Sequence, residues 1–376
     1  MLIPVLVLCS FAVATAEFVL VGLLPQVAAD LSVSVPAAGQ LVTAYMLVVT
    51  VAGPVATVLT RRLPRRGLLI ATMALATAAA AGSALAGSYG VLLAARLGSA
   101  LAQALFMAVA SQVAMAAAPA GRQTAAVARV FAGFALATVI GLPLGVLAAD
   151  VRGWHASFVL VALLAGAGLL GIIACCPPVP APEAADRGAG LRVVTDPAVL
   201  HGLLITLLAL TGFVTAFTYV APMLRSVSGF GPLGVTLALI AYGAGTVAGT
   251  ALAGRVAPGR IRAVLPVAVG ALALILLAQR VLLPHRPAAV AGLVLLGCAA
   301  FVVVPLVQTW LMGTAGPRSA GLVASVNISV AGLAGALGAA LGGAVLSGLG
   351  PAWISPVAAV PVLAATAVAL VPTAPR

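Results

Sequence analysis

The 376-residue chain has no lysine, six acidic residues and three histidines, and charged residues make up only 6% of it. Soluble domains carry about a quarter charged residues, so this chain cannot cover a water-facing surface. Without lysine it can form neither a Walker A loop nor a lysine Schiff base. The histidines lie far apart in sequence and the four cysteines form no C-x-x-C pair, which predicts neither a metal site nor a Ser-His-Asp triad. We therefore expect a protein that is not an enzyme and needs no cofactor.

Apolar sequence is abundant instead, because 64% of the residues are hydrophobic and the mean hydropathy is +1.27. A membrane-spanning helix needs about 20 apolar residues, and charged and Pro- or Gly-rich breaks separate runs of this length. The predicted spans are 3–24, 36–60, 68–87, 90–117, 124–149, 155–175, 199–222, 233–254, 264–283, 288–313, 320–346 and 354–372. The pattern predicts an all-α membrane protein with twelve transmembrane helices.

The net charge of +12 rests on arginines scattered between these runs, which is unlike a nucleic-acid-binding surface. If both termini are cytoplasmic, the inside connections carry Arg61, Arg62, Arg65, Arg66, Arg122, Arg187, Arg192, Arg255, Arg260, Arg262 and Arg318, and the outside ones only Arg152, Arg225, Arg280 and Arg286. The positive-inside rule then predicts an N-in/C-in orientation in the lipid bilayer. Ala14-Thr15-Ala16 also permits a signal-cleavage reading, although no basic residue precedes the first run and apolar sequence continues to Leu24.

A polar, Pro-rich stretch from Pro177 to Pro197 separates six spans from six. We predict an N-terminal six-helix bundle over 1–176, a cytoplasmic linker over 177–198 and a C-terminal six-helix bundle over 199–376. Internal duplication with a site between the halves is typical of secondary transporters.

Glu17 is the acid predicted inside a span, whereas the other five acids, Asp30, Asp150, Glu183, Asp186 and Asp196, are predicted in connections. A carboxylate within the bilayer costs several kcal/mol unless it is paired, hydrated or protonated. Glu17 is therefore a candidate for a group that alternates between a proton and a cation. The alternative is a structural carboxyl bonded to neighbouring helices.

Arg96 is the second unusual charge, about seven residues into the fourth span. At 1.5 Å per residue, Arg96 and Glu17 both lie roughly 10 Å below the same membrane surface, so they can pair. The alternative is an arginine that extends to the headgroups.

The remaining candidates for lining a substrate cavity are polar or aromatic. They are Phe18, Tyr45, Gln103, Phe106, Phe217, Tyr219, Tyr242, Gln308 and Asn327. With no second intramembrane acid predicted, such a cavity suits neutral or lipophilic small molecules. Ordinary interhelical packing is the alternative for each residue.

Several segments together resemble the drug:proton antiporter branch of the major facilitator superfamily, and chloramphenicol-resistance and arabinose-efflux-like permeases in particular. They are Thr15-Ala16-Glu17-Phe18, Gly22-Leu23-Leu24-Pro25-Gln26, Gly53-Pro54 with Arg62-Leu63-Pro64-Arg65-Arg66 in the cytoplasmic 2–3 loop, Arg96 with Ala100-Leu101-Ala102, Gly133 with Gly141-Leu142-Pro143-Leu144-Gly145, Ala216-Phe217-Thr218-Tyr219-Val220-Ala221-Pro222, and Asn327.

The resemblance implies a twelve-helix, proton-driven exporter of the multidrug-efflux and antibiotic-resistance type, expected as a monomer in the bacterial inner membrane. By this likeness, Glu17 corresponds to the protonation site, Arg96 to a coupling arginine, and Gly133, Gly141, Pro143 and Gly145 to the antiporter motif. The 2–3 loop departs from the family pattern because it lacks an acid, and Gln103 stands where relatives often have histidine. Two other functions remain open: a sugar or metabolite exporter of the same fold, and a membrane receptor or scaffold that does not transport.

Overall fold

The computed structural model describes residues 2–59, 63–117, 123–177, 195–315 and 320–371, and these residues form helices joined by short connections. The helices of the first half are α1 (Leu2–Asp30), α2 (Val35–Leu59), α3 (Arg65–Ala84), α4 (Tyr89–Ala117), α5 (Gln123–Leu136), α6 (Leu142–Arg152) and α7 (Trp154–Cys175). Those of the second half are α8 (Pro197–Thr218), α9 (Val220–Ser226), α10 (Pro232–Gly254), α11 (Ile261–Leu282), α12 (Arg286–Ala315), α13 (Ala320–Gly348) and α14 (Ile354–Leu370).

Twelve helical spans in the described residues are long and apolar enough to cross a membrane. A π-helical turn, Ala137–Gly141, joins α5 and α6 into one of these spans. The short α9 follows α8 after Tyr219 and adds no span of its own. The predicted fold class and number of spans are thus confirmed.

The helices group into two compact units. One unit comprises the described residues of Met1–Ser34 and Val51–Ala184, and the other comprises those of Val35–Thr50 and Ala185–Arg376. The first part of α2 therefore groups with the second-half helices.

In the first unit, α1 is the central helix and contacts α4, α5, α6 and α7. Buried side chains occur on all its faces, as expected of a helix that is apolar all round. The core beside it includes Leu6, Met73 and Phe106, all with no exposed surface. This packing holds the middle of α1 inside the unit, and Glu17 with it.

In the second unit, α8 contacts α12, α13 and α14, and α10 lies along α12. Glycines allow the close approach of α10 to α12, because a Cβ at Gly245 or Gly249 would overlap the backbone carbonyl of Val294 or Cys298. Small residues at such crossings are typical of membrane helices, where close packing replaces the hydrophobic driving force.

Two acids lie in helices and not in connections, which corrects the sequence-based placement. Asp30 is the last residue of α1, and Asp150 lies in the last turn of α6. Both carboxylates accept hydrogen bonds where the helices extend beyond the predicted spans. The Trp154 indole donates to Asp30 Oδ2 (2.8 Å), and Gln26 Nε2 donates to Asp150 Oδ1 (2.8 Å). Hydropathy alone marks the end of an apolar run, which here comes before the end of the helix.

Candidate functional site

Glu17 lies in the middle of α1 and is partly buried, between the buried residues Ala16 and Val19. Its carboxylate Oε2 accepts a hydrogen bond of 2.5 Å from Gln103 Nε2 on α4. Gln103 is itself buried, with 5% of its surface exposed. The structure therefore places a neutral donor directly on the intramembrane carboxylate.

Arg96 lies two turns before Gln103 on α4, and only 1% of its surface is exposed. Its guanidinium donates to the backbone carbonyl of Ala16 and, at 3.4 Å, to that of Glu17. Arg96 is therefore held inside the first unit and does not extend to the headgroups. The cation ties α4 to the backbone of α1 at the position where the acid stands.

The surroundings of Glu17 contain groups that favour its ionised form and groups that favour its neutral form. The Gln103 N–H and the nearby Arg96 cation favour the ionised carboxylate, and the apolar surroundings favour the neutral acid. A carboxyl group balanced in this way can take up and release a proton as its contacts change. Glu17 is therefore a candidate for proton binding.

The glycines of the fifth-span pattern lie against α1. A Cβ at Gly133 would come 2.7 Å from Ser10 Cβ, and one at Gly141 or Gly145 would overlap the side chains of Thr15 or Val19. The π-helical turn ends two residues before Pro143, which has no N–H to donate to the Val139 carbonyl as a regular α-helix would require. The small residues and the π-helical turn thus allow this span to pack closely against α1, the helix that carries Glu17.

The aromatic candidates of the second unit are buried and partly stacked. The Phe217 ring stacks on Phe213 (centroids 5.5 Å apart) and on Tyr242 (4.9 Å), and the Tyr219 hydroxyl donates to the Ala339 carbonyl at 3.1 Å. Tyr45, which groups with this unit, is also buried.

Gln308 and Asn327 are in direct contact in the same unit. Asn327 Nδ2 donates to Gln308 Oε1 at 2.5 Å, and Thr206 Oγ1 donates to Asn327 Oδ1 at 2.7 Å. Thr206 was not among the sequence candidates, because a threonine in an apolar helix commonly bonds only to its own backbone.

In the first unit, Phe18 meets Phe134 edge-to-face at 6.2 Å, while Phe106 lies within the hydrophobic core. Phe106 thus packs against other core side chains. No group of three or more histidine, cysteine or acidic residues that could hold a metal occurs within the part of the chain that the structure describes.

Residues 6–339 match the sequence pattern of the Major Facilitator Superfamily. The chain belongs to the Major Facilitator Superfamily. It is 36% identical over 352 residues to the chloramphenicol resistance protein of Streptomyces lividans, covering 92% of this chain and 90% of that protein. It is 35% identical over 346 residues to the inner membrane transport protein YdhP of Escherichia coli strain K12, covering 92% and 89%. The family resemblance of the sequence is confirmed, and the protein is a multi-pass membrane transporter.

Solved structures of this superfamily share the fold at low sequence identity. The human organic anion transporter MFSD10 matches with a TM-score of 0.75 and 18% identity, over 98% of both chains. The D-xylose-proton symporter matches with a TM-score of 0.76 and 15% identity, over 96% of this chain and 95% of that one. At these identities the likeness supports the fold alone.

The segment that resembles the superfamily's 2–3 loop motif runs from α2 into α3. Gly53 is in α2, Arg62 falls outside the described residues, and Arg65 and Arg66 begin α3. The Arg66 guanidinium donates to the carbonyl of Ile173 at 2.9 Å, in the last turn of α7. A cation on a helix C-terminus is stabilising there, so this arginine ties two helices of the first unit together.

The fit of Gly133, Gly141 and Gly145 to α1 predicts that Gly141→Ala destabilises the protein. Alanine in a helix normally gains about 1 kcal/mol over glycine, but the added Cβ would overlap Thr15 Oγ1, which already bonds the Phe11 carbonyl. Overpacking of this kind costs about 1–3 kcal/mol. We expect a lower midpoint of thermal unfolding in detergent than for the wild type.

Gly90→Ala is the matched control, because a Cβ at Gly90 in the first turn of α4 meets nothing within 4 Å. Its unfolding midpoint should equal or exceed that of the wild type. If both variants unfold at the same temperature, α1 does not constrain Gly141 as described.

Proposed function

We propose that this transporter exports small neutral or lipophilic compounds across a bacterial cell membrane in exchange for protons. The contact between the intramembrane carboxylate of Glu17 and Gln103, beside the buried Arg96, carries the proposal. The name of the chloramphenicol resistance relative supports the export of drug-like compounds. We further propose two six-helix bundles joined by the segment 177–198, a monomer, and both termini in the cytoplasm.

In the proposed cycle, Glu17 loses its proton towards the cytoplasm when substrate binds, and regains it from outside. The Gln103 N–H and the Arg96 cation stabilise the ionised carboxylate at the moment of release. Protonation cancels the charge and weakens both interactions, which alters how firmly α1 is held to α4. A change in these contacts biases the two states of an alternating-access transporter.

A neutral substrate class follows from the chemistry of the candidate residues. The stacked rings of Phe213, Phe217 and Tyr242 and the pair Phe18–Phe134 offer apolar and aromatic surface. The amides of Gln103 and Gln308 offer uncharged hydrogen bonds, and Asn327 holds Gln308 through its own amide. Apolar surface with a few polar groups is typical of sites for small lipophilic ligands.

The test is transport in proteoliposomes with an imposed pH gradient. The transport of a panel of neutral antibiotics and dyes, with chloramphenicol as the first probe, would be measured with and without a protonophore. We expect movement of at least one compound against its gradient, coupled to proton flux and abolished by the protonophore. Transport of sugars or metabolites alone, or equal flux without a pH gradient, would contradict the proposal.

A further inference from the structure

Three side chains in the second unit form a hydrogen-bonded chain, which we call the amide relay: Thr206 on α8, Asn327 on α13 and Gln308 on α12. Thr206 and Asn327 are buried, with 4% and 6% of their surfaces exposed, and Gln308 is half-buried at the end of the chain. Thr206 lies roughly 14 Å along α8 from its first residue, at 1.5 Å per residue, well inside the span. The relay is thus a polar group deep within an apolar bundle.

The hydrogen bonds of the relay all run from donor to acceptor in one direction, from Thr206 to Gln308. The Thr206 hydroxyl gives its hydrogen to Asn327 Oδ1 at 2.7 Å, while its contact with the Gly202 carbonyl is longer at 3.2 Å. Asn327 then turns its Nδ2 donor towards Gln308 Oε1. An amide has one acceptor end and one donor end, so the donor end of Gln308 points away from the relay.

The amide nitrogen of Gln308, Nε2, can donate a hydrogen bond to a group outside the relay. Among the described residues, Gln308 Nε2 donates no hydrogen bond. An amide donor that a bound compound covers costs about 1–3 kcal/mol if it stays without a hydrogen bond.

We propose that the amide relay holds Gln308 as a fixed hydrogen-bond donor for an acceptor oxygen of the transported compound, such as a carbonyl, ester or nitro group. The inference rests on the proposed export function and narrows its substrate class. A site built to donate rejects analogues that lack the acceptor, because a bound analogue then covers the donor without giving it a hydrogen bond. Asn327 and Thr206 act as positioning residues, since they reach the compound only through Gln308.

The experiment compares two neutral aromatic compounds that differ only in a carbonyl replaced by a methylene. Their proton-driven efflux is measured separately in proteoliposomes with wild type, Gln308→Met, Asn327→Leu and Gln279→Met. Methionine keeps the length of glutamine without its hydrogen bonds. Gln279 is the matched control, because it is a buried amide of the same unit whose side chain has no hydrogen-bond partner among the described residues.

We expect the wild type and Gln279→Met to prefer the carbonyl compound by about 3- to 10-fold, the value of one neutral hydrogen bond. Gln308→Met should lose this preference while still transporting the methylene compound. Asn327→Leu should lose part of it, because Gln308 remains but is no longer oriented, and Thr206 keeps its bond to Gly202.

The outcomes distinguish a failure of proton-driven export from a failure of the donor role of Gln308. If the wild type drives neither compound nor any other in the panel, the proposed function fails and the inference falls with it. If the wild type drives both compounds and Gln308→Met slows them equally, or leaves the preference intact, the donor role of Gln308 is refuted while proton-driven export stands. A variant that does not insert is identified by its yield in the membrane, and the other relay variant then decides.

Discussion

Glu17→Gln is expected to abolish the dependence of efflux on the pH gradient, reducing proton-driven accumulation to that of protein-free vesicles. The amide is nearly isosteric with the carboxyl group but cannot bind and release a proton. Its oxygen can still accept the Gln103 N–H, and Arg96 bonds the backbone carbonyls of Ala16 and Glu17, which the substitution does not remove. The variant should therefore fold and insert as the wild type does.

The measurement is efflux in proteoliposomes at matched protein content, with the imposed pH gradient present or absent. Downhill exchange of substrate, which needs no net proton movement, should persist in the variant and shows that the protein is intact. Asp196→Asn is the matched control, because it makes the same change at the N-cap of α8, where Asn is as good a cap as Asp. Full gradient-driven efflux by Glu17→Gln would refute the assignment of the proton site.

Hydropathy predicted the spans well because a bilayer requires long apolar helices, and no other signal in the chain competes with this one. The shared depth of Glu17 and Arg96 also followed from sequence, since the rise per residue of a helix is constant. A shared depth in the membrane does not predict which hydrogen-bond partners the Arg96 guanidinium and the Glu17 carboxylate have. Arg96 is tied to the backbone of α1, and it is Gln103 that reaches the carboxylate.

The role of Gln103 had a sequence signal that hydropathy does not use. Residues seven apart return to the same face of a helix, so Arg96 and Gln103 face α1 together. The contact of Thr206 with Asn327 had no such signal. Other threonines of α8, such as Thr211, bond only to the carbonyl four residues earlier in their own helix, and nothing in the local sequence sets Thr206 apart. Contacts between distant helices depend on how the spans pack.

Arg96→Leu is expected to lower both the stability of the first unit and the proton coupling of transport. The buried guanidinium makes two bonds from α4 to α1, and a hydrogen bond to a charged group contributes about 1.5–3 kcal/mol. The carbonyls of Ala16 and Glu17 keep their places in the helix, so the loss should not unfold the protein outright. Without the cation, the ionised form of Glu17 loses a stabilising neighbour, and gradient-driven efflux should fall at least about tenfold, as for a loss of roughly 1.4 kcal/mol.

Arg96→Lys separates the two effects, because an ammonium keeps the charge but cannot fork to two carbonyls as a guanidinium does. We expect it to unfold at a temperature between those of the wild type and Arg96→Leu, and to keep more gradient-driven efflux than the leucine variant. Arg129→Lys, at an exposed position of α5 in the same unit, should behave as the wild type in both measurements. If Arg96→Leu unfolds like the wild type yet loses coupling, the arginine acts on the carboxylate alone and does not anchor α4; if it keeps coupling, the buried cation has no part in the proton step.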